Sequence, residues 1–414
     1  MKKHRVWAEI DLDALAENVR VVRAHAGPDV ALLSVVKADA YGHGAAPCAR
    51  VAIEAGASMI GVGDSTEALE LREAGILAPI LVLGAVIEEE IGWVVSYDIT
   101  PTIHSAGMVP RIAEEARRQG KRQKVHLKLD TGMGRLGAST VRALEIAQRI
   151  VSDPNLELEG LSTHFSSSYG MDEHSLEATK EQIARFDAVA ASLEQAGIRP
   201  PLRHLANSGA IGLSPVPGNM IRPGIAVYGI DPGMFRVHDV LVRPVLSLRT
   251  QVAFLKGVRA GATIGYNRTH LTRRKTQIAT LPVGYNDGYP YALSNRSAVL
   301  VRGELAPVIG TVTMDYLTVD VGHIPGVHVG DEVVLIGKQG EREIKVTHLA
   351  QLAQTIPLEI TCGLGKRVRR VYVSSAREHA KWHRFSNEQV ASCELRVARN
   401  GQTASFQGAV PRNP

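Results

Sequence analysis

Short apolar runs rich in β-branched residues alternate with longer amphipathic stretches over roughly the first half of the chain. Continuous apolar runs of this kind predict buried strands, and apolar residues that recur every three to four positions predict helices that cover them. The alternation therefore predicts parallel strands joined by helical crossovers. Single glycines predict where several of the helices end, and these are Gly56, Gly75, Gly120 and Gly197.

Eight strands are predicted from residue 31 onward, and this number favours a (β/α)8 barrel over an open doubly wound sheet. No GxGxxG segment follows an early strand, which argues against a Rossmann fold. A further strand precedes these eight at residues 6–10. The eight predicted strands lie at residues 30–37, 59–62, 80–83, 99–103, 125–129, 158–163, 202–205 and 221–228. The predicted helices lie at residues 12–25, 45–55, 64–74, 109–118, 140–151 and 173–195.

The pattern changes after about residue 233, where strand-like segments follow one another with only turns between them. Punctuation by Gly and Pro about every ten residues is typical of all-β domains. We therefore predict a barrel domain over residues 10–235 and a mostly-β domain over residues 236–373, with an N-terminal strand within residues 1–9 pairing into the second domain. Residues 374–414 are polar and irregular, and they predict a tail. The predicted strands of the second domain lie at residues 245–255, 276–282, 298–301, 304–309, 311–319, 332–336 and 368–373, and its helix at residues 346–354.

The chain is mildly basic, with a net charge of +5 and a pI near 9.1. No dense run of Lys and Arg interleaves with aromatic residues, so we predict no nucleic-acid partner, and a small anionic ligand such as a phosphate suits the charge as well. Three sparse cysteines predict neither a disulfide framework nor a metal site and favour a reducing compartment. No apolar segment is long enough for a signal peptide or a bilayer span, so we expect a cytoplasmic protein that does not associate with membranes.

The octapeptide KADAYGHG at residues 37–44 follows the second predicted strand. A lysine at the carboxyl end of a parallel strand faces the mouth of a barrel, where enzymes of this architecture place their chemistry. A partly desolvated lysine can form a Schiff base with a carbonyl compound. Lys37 is therefore a candidate for covalent chemistry, and a plain surface lysine is the alternative.

Two further segments at predicted strand ends carry candidate ligand groups. The glycine-rich segment DTGMGRLG at residues 130–137 presents Arg135 as an anion-binding group, unless it is an ordinary turn that needs glycine. The segment STHF at residues 162–165 presents His164, which at a strand end is commonly a structural hydrogen-bonding residue.

The last two barrel segments are HLANSGA at residues 204–210 and RPGI at residues 222–225. Asn207 and Ser208 precede a predicted helix start, where backbone N–H groups and a hydroxyl can hold a phosphate. Simple capping of that helix by Ser208 is the alternative. Arg222 is a candidate for ligand binding or for a salt bridge.

These segments, in this order, resemble the signatures of the alanine racemase family over residues 5–373. KADAYGHG is similar to the family's pyridoxal phosphate (PLP) lysine motif, and DTGMGRLG is similar to its second signature. The resemblance implies a (β/α)8 barrel followed by a β domain, with PLP as cofactor and interconversion of L- and D-alanine that supplies D-alanine for peptidoglycan. The cofactor-binding residues that it implies are Lys37, Tyr41, Arg135, His164, Asn207, Ser208, Arg222, Gly224 and Ile225.

Racemisation needs one base on each face of the α-carbon. The resemblance implies that Lys37 is the first base and that Tyr266, in the segment TIGYN at residues 263–267, is the second. It implies that Tyr266 comes from the other subunit of a homodimer with shared active sites. The implied substrate-binding residues are Arg135, Tyr285, Met314 and Asp315.

Two residues are expected to support side chains that contact the cofactor or the substrate. Lys128 is often carbamylated in the family and then braces Arg135, and His204 is placed to hydrogen-bond Arg222. The family places this arginine on the pyridine nitrogen of PLP. Because arginine has no proton to give, the ring nitrogen stays unprotonated and the ring is a weak electron sink, which favours quick reprotonation over transamination.

Four positions depart from the family pattern, and one of them is Tyr291, which stands where an arginine is common. Leu358 stands where a tyrosine hydroxyl usually binds the cofactor phosphate, and Thr311 and Thr313 stand where Arg and Cys are usual. Alanine is therefore the default substrate, and serine or a broader set of amino acids is the first alternative. A PLP-dependent decarboxylase is a further alternative, but its His-Gly-Ser phosphate motif is absent. A non-catalytic PLP-binding protein would resemble the barrel alone.

Overall fold

The computed structural model describes residues 4–170, 172–213, 215–230 and 242–374. The domain boundary predicted at residue 235 and the tail predicted beyond Ser374 lie outside the described residues. Within the described part of the chain, no helix is both long enough and apolar enough to cross a bilayer.

Eight parallel strands close a barrel in the N-terminal part of the chain, which confirms the predicted fold class. In chain order, the strands of this part are β1 (Val6–Asp11), β2 (Ala31–Val35), β3 (Met59–Val62), β4 (Ile80–Val82), β5 (Thr102–Ile103), β6 (Gln123–Asp130), β7 (Ala138–Ser139), β8 (Leu156–Ser162), β9 (Leu202–His204) and β10 (Met220–Ile221).

The barrel consists of two runs of four strands, β10-β2-β3-β4 and β5-β6-β8-β9. Parallel bridges from Leu81 to Thr100 and from Asn207 to Arg222 connect the two runs. β1 lies outside this ring, and the short β7 pairs with the end of β6. Every residue of β3 and β4 is buried, as is expected for parallel strands that are covered on both faces.

The helices of this part begin at polar caps in several places. Asp11 caps α1, because its Oδ1 accepts a hydrogen bond from the N–H of Ala14 at 2.8 Å, and Asp64 and Asp172 cap later helices in the same way. The helices are α1 (Leu12–Ala26), α2 (Lys37–Gly42), α3 (Ala45–Glu54), α4 (Ser65–Glu73), α5 (Ile91–Ser96), α6 (Met108–Arg118), α7 (Ala143–Ser152) and α8 (Glu173–Gln195).

The C-terminal part is mostly strands. In chain order they are β11 (Leu246–Gln251), β12 (Phe254–Val258), β13 (Thr263–Ile264), β14 (His270–Leu271), β15 (Thr276–Leu281), β16 (Ala298–Val301), β17 (Glu304–Pro307), β18 (Leu317–Asp320), β19 (Glu332–Gln339), β20 (Arg342–Ile344) and β21 (Arg369–Val373). Two helices, α9 (Val346–Ala353) and α10 (Pro357–Cys362), precede the last strand.

One large sheet organises this part, in the order β17-β16-β19-β11-β1-β21, with β20 added on β19. The N-terminal strand β1 pairs antiparallel with β11, where Ala8 faces Leu248, and parallel with β21, where Glu9 faces Val371. The strands β12, β15 and β18 form a second sheet, and β13 and β14 form a separate hairpin.

Several predicted strands were too long, and three of them show a local cause. The strand predicted to reach residue 37 ends at Val35, because the backbone turns into a left-handed conformation from Ala38 onward. The strand predicted at residues 221–228 is extended only at Met220–Ile221, since proline follows two residues later and has no N–H to donate. The strand predicted at residues 311–319 is extended only over β18, because the hydroxyl of Thr313 accepts from the N–H of Tyr316 and forms a turn.

Three further differences concern segments that are short or divided. The strand predicted at residues 245–255 is divided into β11 and β12. The helices α5 and α10 were not predicted, and each has six residues, which is too few for a clear helical period.

Candidate active site

A cavity of about 360 Å³ opens at the carboxyl ends of the barrel strands. It brings together all the site residues that the sequence predicts within the barrel, and it adds one side chain from α10. Together these are Lys37, Tyr41, Lys128, Arg135, His164, His204, Asn207, Ser208, Arg222, Gly224, Ile225 and Leu358.

Lys37 begins α2, which is a left-handed turn. Four successive non-glycine residues, from Ala38 to Tyr41, have φ between 52° and 54°. This conformation costs roughly 1–2 kcal/mol per residue, so contacts around the turn must stabilise it. Glu67 supplies two of them, because its carboxylate accepts from the N–H of Ala38 at 2.6 Å and from the N–H of Gly63 at 2.7 Å.

The side chain of Lys37 is exposed at the mouth of the cavity. The expectation of a partly desolvated lysine is therefore not met within a single chain. Tyr41, at the other end of the same turn, is buried, and both residues line the cavity. The turn thus directs an amine and a phenol toward one space.

His43 and Tyr228 stabilise this turn through hydrogen bonds and ring packing. Nδ1 of His43 lies 2.9 Å from the carbonyl oxygen of Ala40 and 3.0 Å from that of Tyr41, so this nitrogen carries the hydrogen. The ring of Tyr228 lies 4.6 Å from that of His43, and its hydroxyl donates to the carbonyl of Val35 at 3.0 Å. Burial lowers the pKa of His43 to about 4, which keeps the imidazole neutral.

Arg222 is buried and charged at the floor of the cavity. Its Nη1 donates to the carbonyl of His204 at 2.6 Å and to Nδ1 of the same residue at 3.1 Å. Its Nη2 donates to the carbonyl of Thr163 at 2.7 Å and lies 3.3 Å from Nδ1 of His164. Burial lowers the pKa of Arg222 to about 10, so the guanidinium stays protonated at neutral pH. Among the described residues, none accepts a hydrogen bond from its Nε.

A chain of buried hydrogen bonds continues behind Arg222. Because Nδ1 of His204 accepts from the arginine, its Nε2 carries the hydrogen and donates to Nδ1 of His126 at 2.8 Å. Nε2 of His126 then donates to Glu159 at 3.2 Å, and Lys124 pairs with the same carboxylate at 2.7 Å. Burial lowers the pKa of both histidines, so this chain holds the guanidinium through neutral imidazoles.

One end of the cavity is lined by a serine hydroxyl and backbone N–H groups. The hydroxyl of Ser208, which starts the 3-10 turn Ser208–Ala210, accepts from the N–H of Gly224 at 2.9 Å and from that of Ala226 at 3.3 Å. The N–H of Ile225, between them, has no acceptor among the described residues. A Cβ atom on Gly224 would collide with the hydroxyl of Tyr41, so the glycine allows this phenol to approach the backbone.

Lys128 and Arg135 place positive charge on the β6 side of the cavity. Lys128 is nearly buried, and burial together with the charges of Arg222 and Arg135 lowers the pKa of its amine to about 8. Arg135 is exposed on a loop that Asp130 organises by accepting from the N–H groups of Gly132 and Gly134.

These residues fit PLP. Lys37 stands at the mouth, Arg222 lines the floor with an Nε–H that has no acceptor in the described part of the chain, and the Ile225 amide, equally without an acceptor there, lies beside the Ser208 hydroxyl at one end. The three groups match the aldehyde, the ring nitrogen and the phosphate of that cofactor. In the described part of the chain, no three His, Cys, Asp or Glu side chains are grouped to hold a metal ion.

The four predicted site residues of the C-terminal part do not line this cavity in one chain. The structure gathers them elsewhere. The hydroxyl of Thr311 donates to the carbonyl of Tyr266 at 3.2 Å, and the N–H of Tyr285 donates to the carbonyl of Thr313 at 3.0 Å. Arg367 ties the same loops together through Asp287 and Asp315. We call Tyr266, Tyr285, Met314 and Asp315 the tyrosine patch; the first three are exposed, Tyr266 at 70%, and Asp315 is half-buried.

The sequence reasoning missed four supporting residues: Glu67, His126, Glu159 and Tyr169. Glu67 lies on α4 and contacts a turn 29 residues earlier in the chain. His126 and Glu159 lie in the middle of β6 and β8, and no motif surrounds them. The side chain of Tyr169 lines the cavity from the loop after β8.

An eight-stranded barrel joined to a β domain, with a cavity at the carboxyl ends of its strands that is lined by a lysine and a buried arginine, defines a class of barrel enzymes. Family models place the chain within that class. The model described as "Alanine racemase, N-terminal domain" matches residues 10–232, and that described as "Alanine racemase, C-terminal domain" matches residues 245–372. The chain belongs to the alanine racemase family and is a racemase.

Individual relatives agree with this assignment. The chain is 44% identical over 372 residues to the alanine racemase of Halothermothrix orenii, covering 88% of this chain and 96% of the relative. It is 44% identical over 368 residues to that of Symbiobacterium thermophilum, with the same coverage.

Solved structures are similar over most of their length. The alanine racemase of D-cycloserine-producing Streptomyces lavendulae superposes with a TM-score of 0.84 at 35% identity, covering 92% of this chain and all of that one. The Bartonella henselae alanine racemase, described with covalently bound pyridoxal phosphate, superposes with a TM-score of 0.78 at 29% identity, covering 89% of this chain and 99% of that one.

Proposed function

We propose that this racemase interconverts L- and D-alanine with PLP bound at Lys37, and that its reaction uses two bases, Lys37 and Tyr266. The observation that carries the proposal is the single cavity in which Lys37, Arg222 and Ser208 meet. When bound, PLP supplies an electron-withdrawing system that acidifies the α-hydrogen of an attached amino acid. Such an activity would supply D-alanine for peptidoglycan.

Each end of the cavity would hold one part of the cofactor. Ser208, Gly224, Ile225 and Tyr41 would bind the phosphate through hydroxyls and backbone N–H groups. Arg222 would donate its Nε hydrogen to the ring nitrogen. Because the guanidinium has no proton to transfer, it would keep that nitrogen unprotonated.

Arg135 would bind the substrate carboxylate from the open side of the cavity, as a charge-assisted hydrogen-bond donor. Lys128 lies beside it, and a carbamate on Lys128 would turn a repelling cation into a bracing anion. The pKa of about 8 supports this, because a neutral amine is the form that reacts with carbon dioxide.

The second base must act on the face of the α-carbon opposite Lys37. Tyr266 is exposed in the tyrosine patch and does not reach the cavity that the described residues of its own chain form. We therefore propose a homodimer in which Tyr266 of the partner subunit completes each site, together with Tyr285, Met314 and Asp315 as substrate-binding residues. The exposed apolar area of the patch supports an interface at that place.

A panel of L-amino acids, incubated with the purified protein and PLP and analysed by chiral chromatography, tests the activity. D-alanine formed at the highest rate would support the proposal. The absence of any D-isomer, with PLP bound, would contradict it.

Serine or a broader substrate range is a second candidate, and Leu358 favours it. The Leu358 side chain lines the cavity, is smaller than a tyrosine and has no polar atom. It therefore leaves open the space that a tyrosine would fill, and it forms no hydrogen bond with the polar groups of the cavity. Faster formation of D-serine than of D-alanine would assign the broader specificity and leave the roles of the two bases unchanged.

A further inference from the structure

Tyr169 lines the cavity beside the turn that starts at Ser208. A Cβ atom on Gly209 would lie 2.9 Å from both Cγ and Cδ1 of the Tyr169 ring. The ring therefore packs directly on the backbone of that turn, and only glycine at position 209 leaves room for it. The ring thus lies at the end of the cavity where Ser208 and Gly224 meet.

Hydrogen bonds hold the loop that carries Tyr169. The hydroxyl of Ser168 donates to Oδ1 of Asn207 at 2.6 Å. Gln182 of α8 accepts from the N–H of Ser166 at 2.9 Å and donates to the carbonyl of His164 at 3.0 Å. Because Tyr169 directly follows Ser168, these bonds keep its ring in place over the turn.

Burial and two neighbouring groups set the protonation state of the Tyr169 phenol. Burial raises the pKa of this phenol to about 12, and hydrogen bonding with Ser208 and with the backbone of Gly209 partly offsets that rise. Tyr169 therefore stays protonated at neutral pH. A protonated phenol beside the Ser208 hydroxyl is able to donate to an anion at this end of the cavity.

We infer that Tyr169 is a phosphate-binding residue, which donates its hydroxyl proton to the phosphate group of PLP beside Ser208 and the Ile225 amide. The inference rests on the proposed function, since it takes PLP as the ligand. Leu358 lines the same cavity and offers no polar atom, so Tyr41 and Tyr169 supply the phenol hydroxyls that the described lining contains.

The test compares PLP with pyridoxal, which lacks the phosphate, as ligands of the full-length chain depleted of cofactor. Tyr169→Phe should weaken PLP binding about ten- to hundredfold, the effect of losing a hydrogen bond to a charged group. It should leave pyridoxal binding unchanged. The dissociation constants come from the change in ligand absorbance during titration.

Tyr289→Phe is the matched control, because Tyr289 is also buried and its hydroxyl bonds to Ser297 at 2.9 Å, away from the cavity. This variant should keep both affinities. An equal loss of PLP and pyridoxal binding in Tyr169→Phe, or unchanged or tighter PLP binding, would overturn the inference. If the unmodified chain failed to bind PLP, the proposed function itself would fall.

Discussion

Nη1 of Arg222 lies 3.1 Å from Nδ1 of His204, and this contact fixes which nitrogen of the imidazole carries the hydrogen. The same guanidinium donates to three backbone carbonyls, those of His204, Thr163 and Leu205. Because all three acceptors belong to the backbone, they hold the Arg222 guanidinium in one orientation. A rigid cation at this place determines the protonation of whatever nitrogen it contacts.

Arg222→Glu should lower racemisation and raise the fraction of turnovers that end in transamination. A carboxyl group can share a proton with the cofactor ring nitrogen, which strengthens the ring as an electron sink and lengthens the life of a carbanion. We expect at least about a tenfold fall in kcat, as for the loss of other preorganised charges. D-alanine by chiral chromatography and pyruvate by a coupled reductase measure the two products.

Arg203→Gln is the control for this variant, since Arg203 lies on the same strand, β9, with an exposed side chain. It should leave the ratio of pyruvate to D-alanine unchanged. An unchanged ratio in Arg222→Glu as well would contradict the role assigned to the arginine.

Tyr266→Phe should retain bound PLP and lose racemisation in both directions by the same factor, because L- and D-alanine have equal free energies. The remaining base, Lys37, still reaches one face of the α-carbon. Exchange of the α-hydrogen with deuterium from the solvent should therefore survive for one enantiomer only, and mass spectrometry of recovered L- and D-alanine measures it.

Tyr97→Phe serves as the control, because Tyr97 is an exposed tyrosine outside the tyrosine patch. Full racemisation by Tyr266→Phe would refute its role as a base. Loss of exchange for both enantiomers would refute the separate action of Lys37.

Much of the fold and of the cavity could be predicted because the relevant signals are local. The period of each strand or helix is visible in a window of about twenty residues, and side chains at the carboxyl ends of parallel strands converge whatever the details of packing. That convergence is why Lys37 and Ser208, which are far apart in the chain, could be assigned to one site, whereas Arg222 was assigned to it by the family resemblance.

The residues that escaped prediction depend on non-local geometry. Nothing in the residues Ala38 to Tyr41 indicates four successive positive φ angles, since none is glycine. Glu67, which accepts a hydrogen bond from the backbone of that turn, lies on α4. Its role follows only from the packing. The contact of Tyr169 with the Ser208 turn is visible only in the structure, because it depends on how two separate loops pack.

Glu67→Ala should destabilise the left-handed turn that carries Lys37. The substitution leaves the N–H groups of Ala38 and Gly63 without their carboxylate. Loss of hydrogen bonds to a charged, partly exposed group should lower the free energy of unfolding by about 1–3 kcal/mol. Urea titration measures this, and PLP affinity should fall in parallel.

Glu73→Ala, at the exposed end of the same helix α4, provides the comparison. It should change neither stability nor PLP affinity by a comparable amount. If Glu67→Ala kept full stability, the turn would not depend on this carboxylate.

The stability of the protein should fall in mild acid, and His43 should account for part of that fall. Burial holds the pKa of His43 at about 4 in the folded chain, below its ordinary value of 6.5. Its Nε2 has no partner among the described residues, so a proton there would be buried without an acceptor. A folded pKa below the unfolded one means that this contribution is complete above pH 6.5 and is lost as the pH falls from 6.5 through 4.

His43→Gln should reduce the pH dependence of stability, because glutamine still donates to the backbone carbonyls but does not titrate. For the unmodified chain, each such histidine lowers the free energy of unfolding by up to about 1.4 kcal/mol per pH unit, or roughly 3 kcal/mol for His43 over the whole window. Urea titrations at several pH values between 7 and about 4.5 should show a shallower slope for the variant by close to one proton. His25→Gln, with its exposed imidazole, should keep the original slope, and an equally steep slope in His43→Gln would mean that this histidine does not limit acid stability.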